Sequence, residues 1–240
     1  MKEAIILAGG FGTRLQSVIS DVPKPMSPIG NQPFLEILLR QLSFYGFSKV
    51  ILSVGYKHEV IRNYFGHRFS SMQIEYCIED TPLGTGGAIL RSMSMLTSDD
   101  VLVMNGDSIF LLPLDVFYHF YRSQQTPVSI ALKAANDFDR YGAVILDGDK
   151  VIGFEEKKQV AHGVFNAGLY WLKSSVKNKI SALGEQGAFS FEKEVLEKQR
   201  LPMSGCVFHD YFIDIGIPED YQKAQEELTN VFEYYVGGKK

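Results

Sequence analysis

Apolar runs alternate with segments of helical periodicity through the first half of the chain. Ala4–Ala8 and Lys49–Gly55 are rich in aliphatic residues, which is typical of buried strands. In Pro33–Phe47, apolar residues recur every three or four positions, which predicts a helix. The predicted elements of this half are strands at Ala4–Ala8, Lys49–Gly55, Gln73–Ile78 and Val101–Met104, and helices at Pro33–Phe47, Glu59–Phe65 and Ala88–Leu96. This β-α-β-α order favours a mostly parallel sheet.

The second half is richer in strand-like segments. They are predicted at Val128–Lys133, Ala143–Leu146, Val151–Glu155, Val164–Trp171, Cys206–Phe208 and Phe212–Ile215. A turn at 147–150 predicts a hairpin, and helices are predicted at Ser174–Leu183, Ser190–Lys198 and Pro218–Tyr234. Together the two halves predict an α/β fold of three layers, in which a mostly parallel, Rossmann-like mixed sheet has helices on both faces.

Size and composition are those of a globular protein. The chain has 240 residues, of which 45% are hydrophobic and 22% charged, and we find no internal repeat or low-complexity linker. We therefore expect a single domain over residues 1–235, followed by a short tail at 236–240. The oligomeric state is left open, and a homo-oligomer is possible in principle.

Charge and cysteine content exclude several classes of protein. A net charge of −4 gives no support for binding nucleic acid or an anionic membrane. No apolar run reaches the roughly 18 residues that a membrane helix needs, and no secretory signal is recognisable. The two cysteines show no metal-ligand spacing. We expect a cytoplasmic protein.

A glycine-rich turn follows the first strand. Gly9, Gly10 and Gly12 lie directly after Ala8, and glycines allow backbone N–H groups to form a concave anion site. Arg14 and Lys24 add the positive charge that a polyphosphate needs. The spacing matches neither the dinucleotide fingerprint nor the P-loop. The pattern therefore predicts a nucleotide-phosphate site of another type.

Two carboxylates follow apolar strands in well-separated segments. Asp107 comes after the strand Val101–Met104, and Asp214 lies at the end of Phe212–Ile215. Ligands bind at the carboxyl ends of strands in α/β sheets, and Mg²⁺ prefers one or two carboxylates together with phosphate oxygens and water. We interpret the two as a metal site, although either residue alone could instead cap a turn or helix.

The longest motif carries a resemblance to a known family. The string from Leu7 to Leu15, LAGGFGTRL, followed by Pro-Lys-Pro-Met at 23–26, resembles the sugar-1-phosphate nucleotidyltransferases. This implies the nucleotide-diphospho-sugar transferase type of fold, an enzyme that joins a nucleoside triphosphate to a sugar 1-phosphate, and Mg²⁺ as cofactor. No general base is needed, because the sugar phosphate is already ionised near neutral pH.

The resemblance also implies residue roles. The catalytic residues would be Arg14, Lys24 and Asp107, and the metal ligands Asp107 and Asp214. The nucleotide would be bound by Leu7, Ala8, Gly9, Gly10, Gly12, Thr13, Arg14, Lys24, Glu79, Pro82, Gly84 and Thr85. The sugar phosphate would be bound by Asn105, Gly106, Tyr141, Gly142, Glu156, Lys157, Asn166 and Gly168. Lys158 stands where the family usually has proline.

Several segments are similar to one small bacterial branch of the family. They are FDRYG at 138–142, FEEK at 154–157, FSFE at 189–192 and YFIDIGIPEDY at 211–221. The branch is the D-glycero-α-D-manno-heptose 1-phosphate guanylyltransferases, which make GDP-heptose from GTP for surface polysaccharides and S-layer glycans. Three alternatives stay open: a mannose-1-phosphate guanylyltransferase, an amino-sugar-1-phosphate uridylyltransferase and a regulatory subunit that only binds nucleotide-sugar.

Overall fold

The structure is a computed structural model that describes residues 2–10, 22–185 and 187–237. Its strands are β1 (Glu3–Ala8), β2 (Pro28–Ile29), β3 (Gln32–Pro33), β4 (Lys49–Val54), β5 (Arg68–Phe69), β6 (Met72–Ile78), β7 (Asp100–Asn105), β8 (Ser108–Phe110), β9 (Val128–Phe138), β10 (Val144–Asp147), β11 (Lys150–Phe154), β12 (Val160–Lys173), β13 (Met203–Phe208) and β14 (Phe212–Asp214). The α-helices are α1 (Phe34–Phe44), α2 (His58–Phe65), α3 (Gly84–Met93), α4 (Leu114–Ser123), α5 (Val176–Glu185) and α6 (Pro218–Gly237). A 3-10 helix spans Lys24–Met26, and a π-helix spans Glu192–Glu197.

The chain divides into two compact units. The first unit comprises Met1–Pro82, Asn105–Leu111 and Tyr211–Lys240, and the second comprises Leu83–Met104 and Leu112–Asp210. Each unit thus combines segments that are distant in the sequence. The single domain expected from the sequence stays a prediction.

The first unit is built on parallel strands. β1 pairs with β4, and β4 pairs with β6, both in parallel register, with Ile5 opposite Ile51 and Ile51 opposite Glu75. The short β5 pairs with β6 in the antiparallel direction. The β-α-β order of the sequence explains the parallel pairing, because α1 and α2 provide the crossover connections.

Helix α1 shows why the first unit folds as it does. Its apolar stripe, including Phe34, Leu38 and Leu42, is fully buried, and each such side chain contributes about 1.5–3 kcal/mol through the area it removes from water. The helix ends at Phe44, three residues before the predicted boundary, and Gly46 just beyond it has a φ of 70°. A glycine with positive φ is a common helix terminator.

The second unit has a mixed sheet. Its strands follow the order β7, β12, β9, β13, β11 and β10. β12 pairs antiparallel with β7 and β9, β13 pairs parallel with β9, and β11 pairs antiparallel with β13 and β10. The predicted hairpin at 147–150 connects β10 and β11. Trp171 of β12 is buried and stacks on Tyr121 of α4, with the ring centroids 5.6 Å apart.

The predicted elements are largely confirmed. Every predicted strand overlaps an observed one, and every predicted helix overlaps an observed helix, with the π-helix lying within the segment predicted as Ser190–Lys198. Helix α4 was not predicted. Within the described ranges, no helix combines the length and the apolar character that crossing a membrane requires.

Candidate functional site

Lys24 and two carboxylates lie together in the first unit. Lys24 is the first residue of the 3-10 helix, and its side chain is only 12% exposed. Its Nζ lies 2.6 Å from Asp107 Oδ2. The same Nζ is 3.9 Å from Asp214 Oδ1. The fold thus brings together three residues that were singled out in the sequence, although they come from three separate segments.

A short antiparallel pairing places the two carboxylates. β8 pairs with β14, with Ser108 opposite Asp214, and the Ile215 N–H donates to the Asp107 carbonyl at 2.9 Å. Because Asp107 directly precedes β8 and Asp214 ends β14, the antiparallel direction brings them side by side. Asp214 Oδ1 also accepts a hydrogen bond from the Gly216 N–H at 2.7 Å, which fixes its orientation.

Gly106 positions Asp107 against the first strand. Its N–H donates to the Leu7 carbonyl at 2.9 Å. A β-carbon at position 106 would lie 2.6 Å from that same carbonyl oxygen, closer than van der Waals contact allows. Glycine is therefore required here by close approach of two backbone segments. The predicted roles of Leu7 in nucleotide binding, and of Asn105 and Gly106 in sugar-phosphate binding, stay predictions.

The donor set fits a magnesium ion that is only partly held by protein. Among the described residues, no group of three or more His, Cys, Asp or Glu side chains could hold a metal ion. Two carboxylates that converge on one ammonium group are nevertheless a place where positive charge is stabilised, and Mg²⁺ commonly takes one or two carboxylates and completes its shell with phosphate oxygens and water. Asp107 and Asp214 would be the ligands.

A cavity of about 290 Å³ lies at the carboxyl ends of β4 and β6 in the first unit. Among its lining residues are Gly9, Glu79 and Pro82, which the resemblance implies would bind the nucleotide. Further lining residues, for which no such role was predicted from the sequence, are Gly55, Tyr56, His58, Ile78 and Asp80. The rule that ligands bind beyond the carboxyl ends of parallel strands could have identified those that follow β4.

Glu79 has a defined position in this cavity. Its N–H donates to the Val54 carbonyl at 2.8 Å, and its Oε1 accepts a hydrogen bond from the Ser53 hydroxyl at 2.9 Å. A β-carbon on Gly9 would lie 3.0 Å from this Oε1. The carboxylate is thus packed between β4 and Gly9, where it can accept hydrogen bonds from a ligand in the cavity.

Gly84 and Thr85, also predicted to bind the nucleotide, belong to the second unit. A β-carbon on Gly84 would lie 2.4 Å from the Phe189 carbonyl oxygen, and the Thr85 hydroxyl donates to Glu192 Oε2 at 2.5 Å. Both residues therefore contact the segment 189–192. Their role in nucleotide binding stays a prediction.

Apart from Asn105 and Gly106, which belong to the first unit, the residues predicted to bind the sugar phosphate lie in two parts of the second unit. Tyr141 stacks on Phe165 with centroids 4.2 Å apart and an interplanar angle of 11°. A β-carbon on Gly142 would lie 2.3 Å from the Glu155 carbonyl oxygen, and Glu156 and Lys157 are exposed beyond the end of β11. Lys158, which departs from the family pattern, pairs with Glu155 at 3.0 Å.

The second part of this cluster lies on β12. Asn166 Oδ1 accepts a hydrogen bond from the Gly168 N–H at 2.9 Å, and Asn166 Nδ2 donates to the Tyr170 hydroxyl at 2.9 Å. The Asn166 amide is therefore held in one orientation. Tyr170 and its neighbour Glu192 were not among the predicted site residues.

Only some of the remaining residues predicted at the glycine turn belong to the described part of the chain. Ala8 is buried at the end of β1, and Gly10 is exposed, with no atom within 4 Å of the place where a β-carbon would be. Gly12, Thr13 and Arg14 lie outside the described residues.

Comparison with known proteins gives the family. The nucleotidyl transferase family matches residues 3–231. The chain is 46% identical to a D-glycero-alpha-D-manno-heptose 1-phosphate guanylyltransferase of Aneurinibacillus thermoaerophilus, over 95% of this chain and 99% of that protein. It is 45% identical to a protein of the same description from Campylobacter jejuni, over 91% of this chain and 96% of the relative.

A solved structure agrees with the fold. The crystal structure of HddC from Yersinia pseudotuberculosis, in complex with GMP-PN, has a TM-score of 0.83 and 36% identity, and the match covers 95% of this chain and 100% of that one. This likeness confirms the mixed, mostly parallel Rossmann-like sheet with helices that the sequence predicted. The family match, and relatives that share nearly half of their residues over almost the whole chain, establish that this protein belongs to the nucleotidyl transferase family.

Proposed function

We propose that this protein joins GTP and D-glycero-α-D-manno-heptose 1-phosphate to form GDP-heptose and pyrophosphate. The observation that carries the proposal is the convergence of Lys24, Asp107 and Asp214 in a chain so similar to two heptose 1-phosphate guanylyltransferases. The convergence supports phosphate chemistry in general, and the relatives support this nucleotide and this sugar.

Glu79 supports guanine as the base. On its Watson–Crick edge guanine offers two neighbouring donors, the N1–H and the 2-amino group, and a carboxylate is an acceptor of matching geometry. Adenine, cytosine and uracil do not offer that pair. A half-buried carboxylate that lines a cavity beside the glycine turn therefore suits GTP better than the other nucleoside triphosphates.

The chain's own residues would neutralise and align two anions. The ionised sugar-phosphate oxygen attacks the α-phosphorus, a new P–O bond forms, and the bond to the β-phosphate oxygen breaks to release pyrophosphate. No proton needs to be removed from the nucleophile, because the second pKa of a phosphate monoester is about 6. Catalysis would depend on positioning and on electrostatic stabilisation of the developing charge.

Individual roles follow from this reaction. Lys24, which is nearly buried beside Asp107, would hold the triphosphate, and the exposed Lys157 would bind the sugar phosphate. Arg14, which lies outside the described residues, would neutralise the leaving pyrophosphate. Asp107 and Asp214 would hold Mg²⁺, which when bound supplies charge stabilisation at the α-phosphate.

The proposal is tested by a pyrophosphate-release matrix. The purified protein is mixed with Mg²⁺, with each of GTP, ATP, CTP and UTP, and with the 1-phosphates of the heptose, mannose, glucose and N-acetylglucosamine. A dominant signal for GTP with the heptose is expected. If another combination of nucleotide and sugar 1-phosphate gave the dominant signal, the proposed substrates would be wrong but the type of reaction would stand. If no combination released pyrophosphate, the proposed function would be contradicted.

A further inference from the structure

Glu192, the first residue of the π-helix, accepts hydrogen bonds from three hydroxyl groups of the second unit. The Thr85 and Ser190 hydroxyls donate to Oε2 at 2.5 and 2.8 Å, and the Tyr170 hydroxyl donates to Oε1 at 3.4 Å. An ionised carboxylate has no hydrogen to donate. Each of these hydroxyl groups must therefore point its hydrogen at Glu192.

This requirement passes along the chain of hydrogen bonds to Asn166. The Tyr170 hydroxyl has one hydrogen, which goes to Glu192, so its oxygen accepts from Asn166 Nδ2 at 2.9 Å. At the other end, the Gly168 N–H can only donate, and it meets Asn166 Oδ1 at 2.9 Å. Both ends therefore impose the same orientation on the Asn166 amide.

Burial makes the Tyr170 link strict. Tyr170 is fully buried, and a buried hydroxyl that loses its hydrogen-bond partner is destabilised because water cannot replace that partner. Burial, and secondarily the charge of Glu192, raise the pKa of the Tyr170 hydroxyl well above its usual value. The hydroxyl thus stays protonated, and it remains the donor to Glu192.

The segment that carries Glu192 is held firmly to the start of α3. The Gly86 N–H donates to the Phe189 carbonyl at 2.9 Å, the Phe189 N–H donates to the Leu83 carbonyl at 3.0 Å, and the Phe191 N–H donates to the Thr85 hydroxyl at 2.8 Å. Single turns of π-helix occur frequently at functional sites. Glu192 is therefore fixed by backbone contacts and does not depend on a ligand for its position.

We propose that Glu192 is a positioning residue for the sugar, which through Tyr170 fixes the Asn166 amide in the orientation that reads one sugar hydroxyl. The inference rests on the proposed function, because it takes Asn166 to contact the sugar of the sugar 1-phosphate. Asn166 Nδ2 carries two hydrogens, and one of them is donated to the Tyr170 hydroxyl. Because the amide orientation is fixed, the direction of the second hydrogen is fixed too, and this is the hydrogen that would bind the sugar hydroxyl.

The test is the substitution Glu192→Gln. A glutamine oxygen can still accept from Thr85 and Ser190, while its amide nitrogen would face Tyr170 as a donor and reverse the hydrogen-bond direction. We expect the KM for the sugar 1-phosphate to rise about tenfold while the KM for GTP changes less than roughly twofold. Equal changes in both KM values, or a loss confined to kcat, would overturn the inference.

A second readout separates positioning from general damage. Sugar 1-phosphates that each lack one ring hydroxyl are compared with the parent sugar, and Asn166→Ala identifies the hydroxyl whose removal no longer matters. In Glu192→Gln, the penalty for removing that same hydroxyl should shrink, while the penalties at the other positions stay as in the unsubstituted protein. An unchanged set of penalties would contradict the inference.

Further variants guard against misfolding and define the reference. Tyr170→Phe removes the link without changing charge and should reproduce the shift in sugar KM. Glu197→Gln makes the same change of charge at an exposed position of the same π-helix and should leave both KM values unaltered. The sugar used is whichever 1-phosphate the unsubstituted protein accepts. If it accepts none, the proposed function and the inference both fail, whereas normal behaviour of Glu192→Gln in an active enzyme overturns only the inference.

Discussion

Lys24 Nζ lies 2.6 Å from Asp107 Oδ2, although the two residues are 83 positions apart in the chain. Lys24 is nearly buried, whereas Asp107 is 41% exposed, so the carboxylate keeps access to solvent on one side while its charge is balanced on the other. Asp214 Oδ1 lies 3.9 Å from the same nitrogen. The three residues together form the charged centre to which the proposed reaction is assigned.

Asp107→Asn should abolish most turnover and leave the fold intact. The substitution keeps the shape of the side chain but removes the charge that would hold Mg²⁺, so kcat should fall by about 100-fold or more. The measurement is pyrophosphate release at saturating Mg²⁺, with the melting temperature recorded alongside.

The matched control for this variant is Asp115→Asn. Asp115 is an exposed acid in the first turn of α4, and its substitution removes the same charge elsewhere in the molecule. It should retain normal turnover. A near-normal rate in Asp107→Asn would remove the basis for the metal assignment.

Glu79→Gln should weaken discrimination among purine nucleotides. Because inosine lacks the 2-amino donor, the unsubstituted protein should prefer GTP over ITP by about tenfold in kcat/KM, the value of one hydrogen bond to a charged group. The variant should narrow this preference. Glu226→Gln, at an exposed position on α6, should preserve it. An unchanged GTP/ITP ratio in Glu79→Gln would argue against Glu79 as the base reader.

Gly106→Ala should destabilise the first unit. The added methyl group would lie 2.6 Å from the Leu7 carbonyl oxygen, and relieving such overpacking in a well-packed region costs about 1–3 kcal/mol. We expect the loss in the free energy of unfolding from denaturant titration, together with lower activity because Asp107 moves. Gly237→Ala, which has no atom nearby to meet a β-carbon, serves as the control. Equal stability of the two variants would contradict the close approach.

Cys206 should be a slow nucleophile. Burial, and secondarily the charge of Asp149, raise the pKa of its thiol from 9.0 to about 11. At pH 8 the native thiolate fraction, and with it the alkylation rate, should be about 100-fold below that of the unfolded chain. The chain has two cysteines, so the substitution Cys77→Ala leaves Cys206 as its single thiol. Its labelling rate should keep rising until about pH 11, and a plateau near pH 9 would be inconsistent with the raised pKa.

The same shift has a consequence for stability. Because the folded pKa lies above the unfolded one, the contribution of the protonated thiol is complete below about pH 9 and is lost as the pH rises towards 11. The free energy of unfolding should therefore fall over that interval, and the fall should be smaller in Cys206→Ala.

Much of the fold was predictable because burial and periodicity act locally. β1 and β4 are aliphatic runs, and β6 alternates between buried and more exposed positions, so local sequence was enough to predict all three as strands. Their parallel pairing followed from the intervening helices. Helix α4 was missed because it is rich in aromatic residues, which have modest helix propensity. Its buried positions Leu114, Phe117 and Tyr121 nevertheless follow helical spacing, so the signal was present in the sequence.

The site was predictable as residue types but not as a geometry. Asp107 and Asp214 stood out as carboxylates after apolar strands, yet their proximity depends on the antiparallel pairing of β8 with β14, which spans about half of the chain. Glu192, in contrast, could not be predicted even as a residue type. A glutamate within a helical segment is ordinarily a solvated residue, and only the tertiary contacts with Thr85 and Tyr170 reveal its role.

The most direct test of the proposed function is a competition between sugars. The protein is given GTP, Mg²⁺ and equal concentrations of D-glycero-α-D-manno-heptose 1-phosphate and mannose 1-phosphate, and the products are separated by mass. We predict that GDP-heptose forms in large excess over GDP-mannose. Equal amounts of the two products, or an excess of GDP-mannose, would contradict the assignment.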